Sequence, residues 1–285
     1  MTGLKPDLGK DKMKPVSKKR SAVSDKNTIL RIEDLHKVFD QNSPHPVEAV
    51  KGVSFNVQEN QLTVLLGPSG CGKSTVLRMI AGLEMPSNGQ VIHGDQMVDG
   101  PSQKRGMVFQ SYTSFEWLTV SKNIEYGMKL NKVDAIIRKE RVEYYLELVG
   151  LKDFRNAYPK QLSGGMKQRV AIARTLANEP ELLLMDEPFG ALDAETRWNM
   201  QELLISIAQS TKTTIILVTH DLGEALFLGD RIIFFSKRPA NIISDMSMSF
   251  KKDKRFSRKE DILSEKGYKR AEQELMRLMR SQAHG

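Results

Sequence analysis

Gly67-Pro-Ser-Gly-Cys-Gly-Lys-Ser-Thr75 is the stretch of sequence that decides the fold. It matches the pattern G-x-x-x-x-G-K-[ST] and stands between the apolar run Gln61–Leu66 and the helical pattern Lys73–Gly82, as that pattern requires. Glycines let the backbone curl so that its N–H groups point at phosphate oxygens, and the following helix adds its positive N-terminal end. An ordinary Gly-rich turn is the alternative. The context favours a phosphate-binding loop in which Lys73 reaches the β- and γ-phosphates and Ser74 coordinates Mg²⁺.

Every residue of this loop is a candidate nucleotide contact. They are Gly67, Pro68, Ser69, Gly70, Cys71, Gly72, Lys73, Ser74 and Thr75. The loop pattern occurs in several classes of ATP- and GTP-hydrolysing enzyme, so it predicts ATP or GTP binding without separating kinases, GTPases, helicases and transporters.

Outward from the loop, the pattern predicts an α/β fold with a mostly parallel sheet, because strands alternate with helices. The predicted strands are Ile29–Val38, Val47–Val57, Gln61–Leu66, Gln90–Ile92, Met107–Phe109, Glu181–Met185, Thr214–Thr219, Arg231–Phe235 and Asn241–Met246. The predicted helices are Lys73–Gly82, Asp134–Val149, Met166–Ala177, Leu222–Leu228 and Tyr268–Met279. We expect the early strands to form an antiparallel β subdomain, and a helical subdomain to cover about 111–175, both beside a P-loop nucleotide-hydrolase core.

Charge is concentrated at the two ends of the chain. Of the total net charge of +8, residues 1–26 and residues 251–285 each carry +5, which leaves −2 for residues 27–250. Basic ends can attract anionic lipid or RNA, but solvated termini are the plainer interpretation. We predict a disordered basic arm over 1–26, one folded domain over 27–250 and a charged, partly helical tail over 251–285, with no specific nucleic-acid partner.

Cysteine use and hydropathy indicate the compartment. The single cysteine, Cys71, excludes an intramolecular disulfide and fits a reducing environment. No apolar run approaches the roughly 18–20 residues that span a bilayer, and the Lys-rich N-terminus has no apolar segment typical of a secretory signal. We therefore expect a protein that is cytoplasmic or lies against a membrane.

A second helix start carries a possible anion site. Leu162-Ser-Gly-Gly-Met-Lys-Gln-Arg169 places a hydroxyl and two glycines, Ser163, Gly164 and Gly165, before a predicted helix. A helix N-cap followed by a basic amphipathic stretch would explain the octapeptide alone. However, one ATP rarely needs two helix N-termini from one chain.

Two buried strands deliver acid–base groups to one edge of the predicted sheet. Leu182-Leu-Leu-Met185 runs directly into Asp186 and Glu187, and Thr214–Thr219 runs into His220. Ligands bind at the carboxyl edge of open α/β sheets. Asp186 is therefore a candidate Mg²⁺ ligand, direct or through water, Glu187 a candidate general base that polarises the attacking water, and His220 a candidate γ-phosphate contact, although a lone histidine there is more often structural.

Together these motifs closely resemble the ABC ATPase family over Ile29–Ser244. The resemblance implies that Gln110 senses Mg²⁺ and the attacking water, that Asp193 belongs to the loop after the catalytic carboxylates, and that Phe39 stacks on adenine. A core aromatic at a strand end remains the alternative for Phe39.

The resemblance also implies how the chain works with partners. In this family two subunits pair head-to-tail, and each ATP lies between one phosphate loop and the opposite signature, here residues 162–166. Such a homodimer drives transmembrane permease subunits, so the implied location is peripheral, on the cytoplasmic face of the inner membrane.

Several stretches resemble importers of the nitrate, sulfonate, taurine and bicarbonate type. They are Trp117-Leu-Thr-Val120, the Met166 form of the signature, Thr219-His-Asp-Leu-Gly-Glu-Ala-Leu226 and Ser236-Lys-Arg-Pro239, whereas Glu116 and Gly223 depart from that pattern. This resemblance implies a small-anion importer that also uses a solute-binding protein.

Other functions remain open at this point. A soluble ABC ATPase acting on nucleic acid or ribosomes, an exporter ATPase, and a scaffold that binds ATP without turnover are the alternatives. Only 87 residues separate Thr75 from Ser163, with no heptad run, which disfavours the coiled-coil insertion of DNA-repair members. The intact Glu187 and His220 disfavour the scaffold.

Overall fold

Two β-sheets and eight helices are described by a computed structural model, which covers residues 27–251 and 254–283. The strands are β1 Thr28–Phe39, β2 Val47–Gln58, β3 Leu62–Leu66, β4 Asn88–His93, β5 Gln96–Met97, β6 Arg105–Val108, β7 Leu182–Asp186, β8 Thr214–Thr219, β9 Arg231–Phe235 and β10 Ile242–Ser247. The helices are α1 Lys73–Ala81, α2 Val120–Leu130, α3 Ala135–Leu148, α4 Gly164–Leu176, α5 Ala194–Thr211, α6 Leu222–Leu228, α7 Lys259–Leu263 and α8 Tyr268–Ala283. The basic arm predicted over 1–26 lies outside the described residues.

The larger sheet has the strand order β10-β9-β3-β8-β7-β6. All neighbours in it are parallel except β10, which runs antiparallel to β9. Every residue of β3, β7 and β8 is buried. Strands covered on both faces need continuous apolar runs, and these three runs are the ones that the sequence marks as buried strands.

The smaller sheet is antiparallel, with the order β2-β1-β4-β5. Val53, Phe55 and Val57 all face inward and are buried, as their alternation predicts. They pack with α1 and with one face of the larger sheet in a common apolar core. The predicted α/β class with an antiparallel β subdomain is confirmed.

Helices α2, α3 and α4 form a group whose apolar faces join a second core. Asp134 caps α3 by accepting a hydrogen bond from Ile136 N at 2.8 Å, as its position before the helix predicts. Thr119 caps α2 in the same way. Asn123 is fully buried and holds the preceding loop through the backbone of Phe115 and Leu118.

The C-terminal helices α7 and α8 pack against the domain. Ile262, Tyr268 and Leu275 are buried in the same core as α6. Just before them, Lys251 is buried and donates hydrogen bonds to the carbonyls of Phe227 at 2.8 Å and Gly229 at 2.6 Å. A lysine is favoured there because α6 ends with unpaired carbonyls.

None of the helices described over 27–251 and 254–283 combines the length and the apolar character needed to cross a bilayer.

Candidate functional site

The phosphate loop connects β3 to α1, as predicted. Gly72 caps α1 with φ 119°, and a Cβ added there would lie 2.5 Å from the Ala49 carbonyl oxygen. Only glycine meets both requirements, because L side chains rarely adopt this φ and the space is already filled. Cys71 is buried in the apolar core that α1 shares with the two sheets. The loop therefore lies directly against β2 at Gly72.

Lys73 is buried at the start of α1, and its ammonium lies within the loop. Its Nζ donates to the carbonyls of Gly67 at 2.8 Å and Pro68 at 2.7 Å, and lies 3.7 Å from Cys71 Sγ. A buried ammonium needs such partners, because an unpaired charge is costly away from water. These carbonyls hold the cation in the phosphate loop.

Ser74 and Asp186 meet across the gap between α1 and β7. Ser74 Oγ donates to Asp186 Oδ1 at 2.6 Å. Burial raises the pKa of Asp186, while the hydrogen bond from Ser74 and the charge of Arg78 act in the opposite direction. A hydroxyl beside a buried carboxylate suits Mg²⁺, which takes hard oxygen ligands and usually only one or two carboxylates. No cluster of three or more His, Cys, Asp or Glu is found in the described part of the chain.

Glu187 and His220 leave adjacent strands at the same edge. Glu187 N donates to Val218 O at 3.0 Å, which extends the β7–β8 ladder by one residue, and the Glu187 backbone then turns with φ 43°. His220 Nδ1 lies 3.2 Å from Glu187 Oε2, within hydrogen-bonding distance. Neighbouring parallel strands therefore bring together two groups that are 33 residues apart in the sequence.

Gln110 approaches the same edge after β6. A Cβ placed on Gly190 would lie 3.9 Å from Glu187 Oε2 and 4.0 Å from Gln110 Nε2. The two side chains therefore reach one backbone position, next to the carboxylate.

The second helix start lies apart from the phosphate loop. Ser163 caps α4 by accepting from Met166 N at 3.3 Å, and it is exposed. Gly165 packs against Thr196, near the start of α5. That helix is capped by Asp193, which accepts from Thr196 N at 2.9 Å. Among the described residues, none of Ser163, Gly164 and Gly165 lines the cavity at the phosphate loop.

That cavity has a volume of about 220 Å³. Phe39, Ala49, Glu187 and Arg238 line it together with residues 70–75 of the loop and α1. Phe39 is half-buried, and Lys37 Nζ lies 4.9 Å from its ring centroid. The aromatic ring is thus at the cavity wall.

Glu224 is a buried acid near the site that the sequence analysis did not select. It lines a small cavity of about 50 Å³ together with Glu187 and His220. Gln201 Nε2, on α5, donates to Glu224 Oε2 at 3.1 Å. Burial raises the pKa of Glu224 to about 7, and the Asp221 carboxylate adds to the rise. Its place in the -Asp-Leu-Gly-Glu- run after His220 was the only sequence signal.

Replacing Glu224 with Gln is expected to change how stability depends on pH. Because the folded pKa of about 7 lies above the ordinary value of 4.5, the acid stabilises the fold below pH 4.5 and loses that contribution as pH rises through 7. The variant should gain stability relative to wild type by up to about 3 kcal/mol between these limits, at about 1.4 kcal/mol per pKa unit.

Urea unfolding at pH 5, 6, 7 and 8 measures this difference. Glu140→Gln, at an exposed position on α3, is the matched control and should show no such trend. A constant difference between Glu224→Gln and wild type at all four pH values would contradict the prediction.

The fold and the site define a nucleotide-binding cassette of the ABC transporter type. Residues 50–190 match the model of the ABC transporter family. The chain belongs to this family and is an ATPase.

Proteins similar to this chain are also ATP-binding subunits or cassettes. The nitrate import ATP-binding protein NrtD of Synechocystis is 46% identical over 79% of this chain and 84% of its own length. The taurine import ATP-binding protein TauB of Pelagibacter ubique is 45% identical over 76% of this chain and 82% of its own. A dimeric structure of the ATP-binding cassette MJ0796, bound to ADP and Pi, matches with a TM-score of 0.68 and 31% identity, covering 77% of this chain and 98% of the other. These similarities do not favour a soluble ABC ATPase acting on nucleic acid or ribosomes.

Proposed function

We propose that this protein is the ATP-hydrolysing subunit of an importer for a small anion such as nitrate, a sulfonate, taurine or bicarbonate. The observation that carries the proposal is identity of about 45% to nitrate and taurine import subunits over three quarters of the chain. In this proposal the subunit lies on the cytoplasmic face of the inner membrane, bound to a transmembrane permease that receives its solute from a solute-binding protein.

The phosphate side of the proposed site is built by the loop and α1. The backbone N–H groups of the loop hold the phosphates, except at Pro68, which has no N–H. Lys73 leaves its two carbonyl partners to reach the β- and γ-phosphates. Ser74, Asp186 and Gln110 would hold Mg²⁺, which would supply positive charge to neutralise the phosphates. Burial raises the pKa of Asp186. A bound cation would lower this pKa again, because a nearby positive charge favours the ionised carboxylate.

The hydrolytic side of the proposed site is built by Glu187, His220 and Gln110. Glu187 accepts the proton of the attacking water as general base, and Gln110 orients that water. His220, already 3.2 Å from Glu187, contacts the γ-phosphate. Positioning and charge do most of the work, since phosphoryl transfer leaves little covalent chemistry to the protein.

Each ATP is proposed to be shared between two copies of this chain. Ser163, Gly164 and Gly165 form a helix start at which Ser163 is exposed, and none of the three lines the chain's own phosphate-loop cavity. In a head-to-tail homodimer this helix start, together with Asp193, faces the nucleotide held by the partner. ATP then favours the closed dimer, and hydrolysis reopens it, which drives the permease.

Reconstitution tests the proposed function. The chain should co-purify with a permease encoded beside it, and proteoliposomes of the complex should take up one of the four anions in an ATP-dependent manner. Export of solute instead of uptake would contradict the importer assignment. Failure to associate with any such permease would contradict the transport assignment as a whole.

Trp117→Ala is expected to weaken assembly with the permease. Trp117 is 72% exposed, and Phe115, its ring centroid 5.3 Å away, supports it from one side. An exposed aromatic that is not needed for the fold is a common anchor at protein interfaces. Loss of such an anchor lowers affinity roughly 30-fold or more.

Co-purification and thermal melting measure the two effects of Trp117→Ala. The free subunit should keep its melting temperature and its ATP affinity. Trp198→Ala, at a 51% exposed position on α5, is the matched control. A lower melting temperature with unchanged assembly would show that Trp117 serves the fold instead of the interface.

A further inference from the structure

Arg238 lies in the turn between β9 and β10, on an element that no nucleotide-binding motif includes. The side chain lines the phosphate-loop cavity. Among the residues that line this cavity, Lys73 and Arg238 carry the positive charges. It is exposed, and no hydrogen bond or ion pair joins it to any residue in the described ranges. A cation that faces a polyphosphate site without a protein partner is available to a ligand.

The turn that carries Arg238 is rigid. Ser236 Oγ lies 2.8 Å from Lys237 O and 2.9 Å from Pro239 O, and it accepts from Asn241 N at 2.9 Å. Ser236 N also donates to Asn241 O at 2.9 Å, which closes the turn. These bonds fix the backbone on both sides of Arg238, so that its guanidinium is presented at a defined place.

The same turn is attached to the phosphate loop. Ala240 is fully buried, its N–H donates to Ala49 O at 2.9 Å, and its carbonyl accepts from Lys51 N at 3.0 Å. A Cβ added to Gly72 would lie 2.9 Å from Ala240 Cβ, so the turn touches the loop itself. Any shift of the phosphate loop therefore also shifts the backbone that holds Arg238.

The contacts of Arg238 differ from those of Arg231, an arginine at the other end of β9 that serves the fold. Arg231, at the start of β9, is largely buried and is held by Asp245 at 2.7 Å and by Asn56 O at 2.6 Å. Structural arginines need such partners, because their five N–H donors must be satisfied. Arg238 has none of these contacts.

We propose that Arg238 binds the phosphate chain of the nucleotide from the turn between β9 and β10. A guanidinium is always charged and offers paired N–H donors that match phosphate oxygens. Lys73 supplies a point charge from inside the loop, and Arg238 supplies a directional contact from the cavity wall. This inference rests on the proposed nucleotide site at the phosphate loop.

Binding of a non-hydrolysable ATP analogue and of inorganic tripolyphosphate to the full chain tests the proposal. Arg238→Ala should weaken both ligands about tenfold, the loss typical of one charge-assisted contact. Arg238→Lys should recover part of it. Lys237→Ala removes the same charge from the same turn, at a residue that does not line the cavity, and should leave both affinities within twofold.

The outcomes separate the inference from the site on which it rests. If Lys73→Ala weakens both ligands but Arg238→Ala does not, the role of Arg238 is wrong and the site remains. If Arg238→Ala weakens the ATP analogue but not tripolyphosphate, Arg238 contacts the base, and the phosphate assignment is overturned. If Lys73→Ala changes neither affinity, the nucleotide site itself is misplaced. Unchanged melting temperatures exclude a loss of fold in each variant.

Discussion

Glu187→Gln is expected to slow ATP hydrolysis roughly 100-fold or more while leaving ATP affinity close to that of wild type. The glutamine keeps the size of the side chain and a hydrogen-bonding oxygen for His220, which lies 3.2 Å from Glu187 Oε2. It cannot take a proton from water, so the chemical step loses its base. Steady-state release of phosphate and equilibrium binding of ATP measure the two effects.

Slow hydrolysis should also trap the ATP-bound dimer of the Glu187→Gln variant. Size-exclusion chromatography with ATP should show a larger species that wild type forms only briefly. Glu140→Gln, at an exposed position on α3, should hydrolyse ATP at the wild-type rate. Turnover near wild type in Glu187→Gln would remove Glu187 from the role of base.

Two inactive variants, Lys73→Ala and Ser163→Arg, are expected to regain activity when mixed. If each ATP lies between the phosphate loop of one chain and the signature of the other, a mixed dimer holds one doubly damaged site and one intact site. Random pairing then restores about a quarter of the wild-type number of sites, since half of the dimers are mixed. Ser163 suits the test because it is exposed, so that the arginine does not enter the core.

The control for this mixture is subunit exchange followed by an affinity tag. ATP-driven dimerisation is measured beside hydrolysis, because strong cooperativity between sites would silence a lone intact site. With exchange demonstrated, recovery of neither dimerisation nor hydrolysis would falsify the shared-site model. A chain that uses its own signature cannot rebuild a good site in any mixture.

The nucleotide edge of the fold was predictable because its groups follow buried strands directly. β3 leads into the phosphate loop, β7 into Asp186 and Glu187, and β8 into His220. Apolar runs that end in chemistry-bearing residues are local signals, and the parallel arrangement then fixes where they meet. The bond from Ser74 to Asp186 follows from that arrangement, although the residues are 112 apart.

Helix α5 was not predicted, because its apolar residues do not form one clear stripe. Met200, Leu204 and Ala208 are buried at helical spacing, but Trp198 on the same helix is exposed. Tertiary packing between the α4 start and α6 decides its position, which no short window of sequence contains. The Glu224–Gln201 contact depends on α5, and for that reason the buried acid was also missed.

The C-terminal tail shows a similar limit. Its charge predicts a solvated segment with a terminal helix, yet Tyr268, Ala271 and Leu275 are buried. Three apolar residues at this spacing suffice to dock a helix whose other face is charged, because the stripe need cover only its inner side. The net charge of the segment reflects the exposed face of α8 and does not predict whether the opposite face is buried.

The proposed catalytic groups lie at the ends of three adjacent, fully buried strands, whereas Trp117 lies on an exposed loop. Substitutions in buried strands commonly destabilise a protein, and those at the surface mostly do not. We therefore expect substitutions on the loop to be tolerated more often than substitutions at the strand ends. Under the proposed function, a duplicated gene could acquire a new membrane partner through changes in this loop while its hydrolytic site stays unchanged.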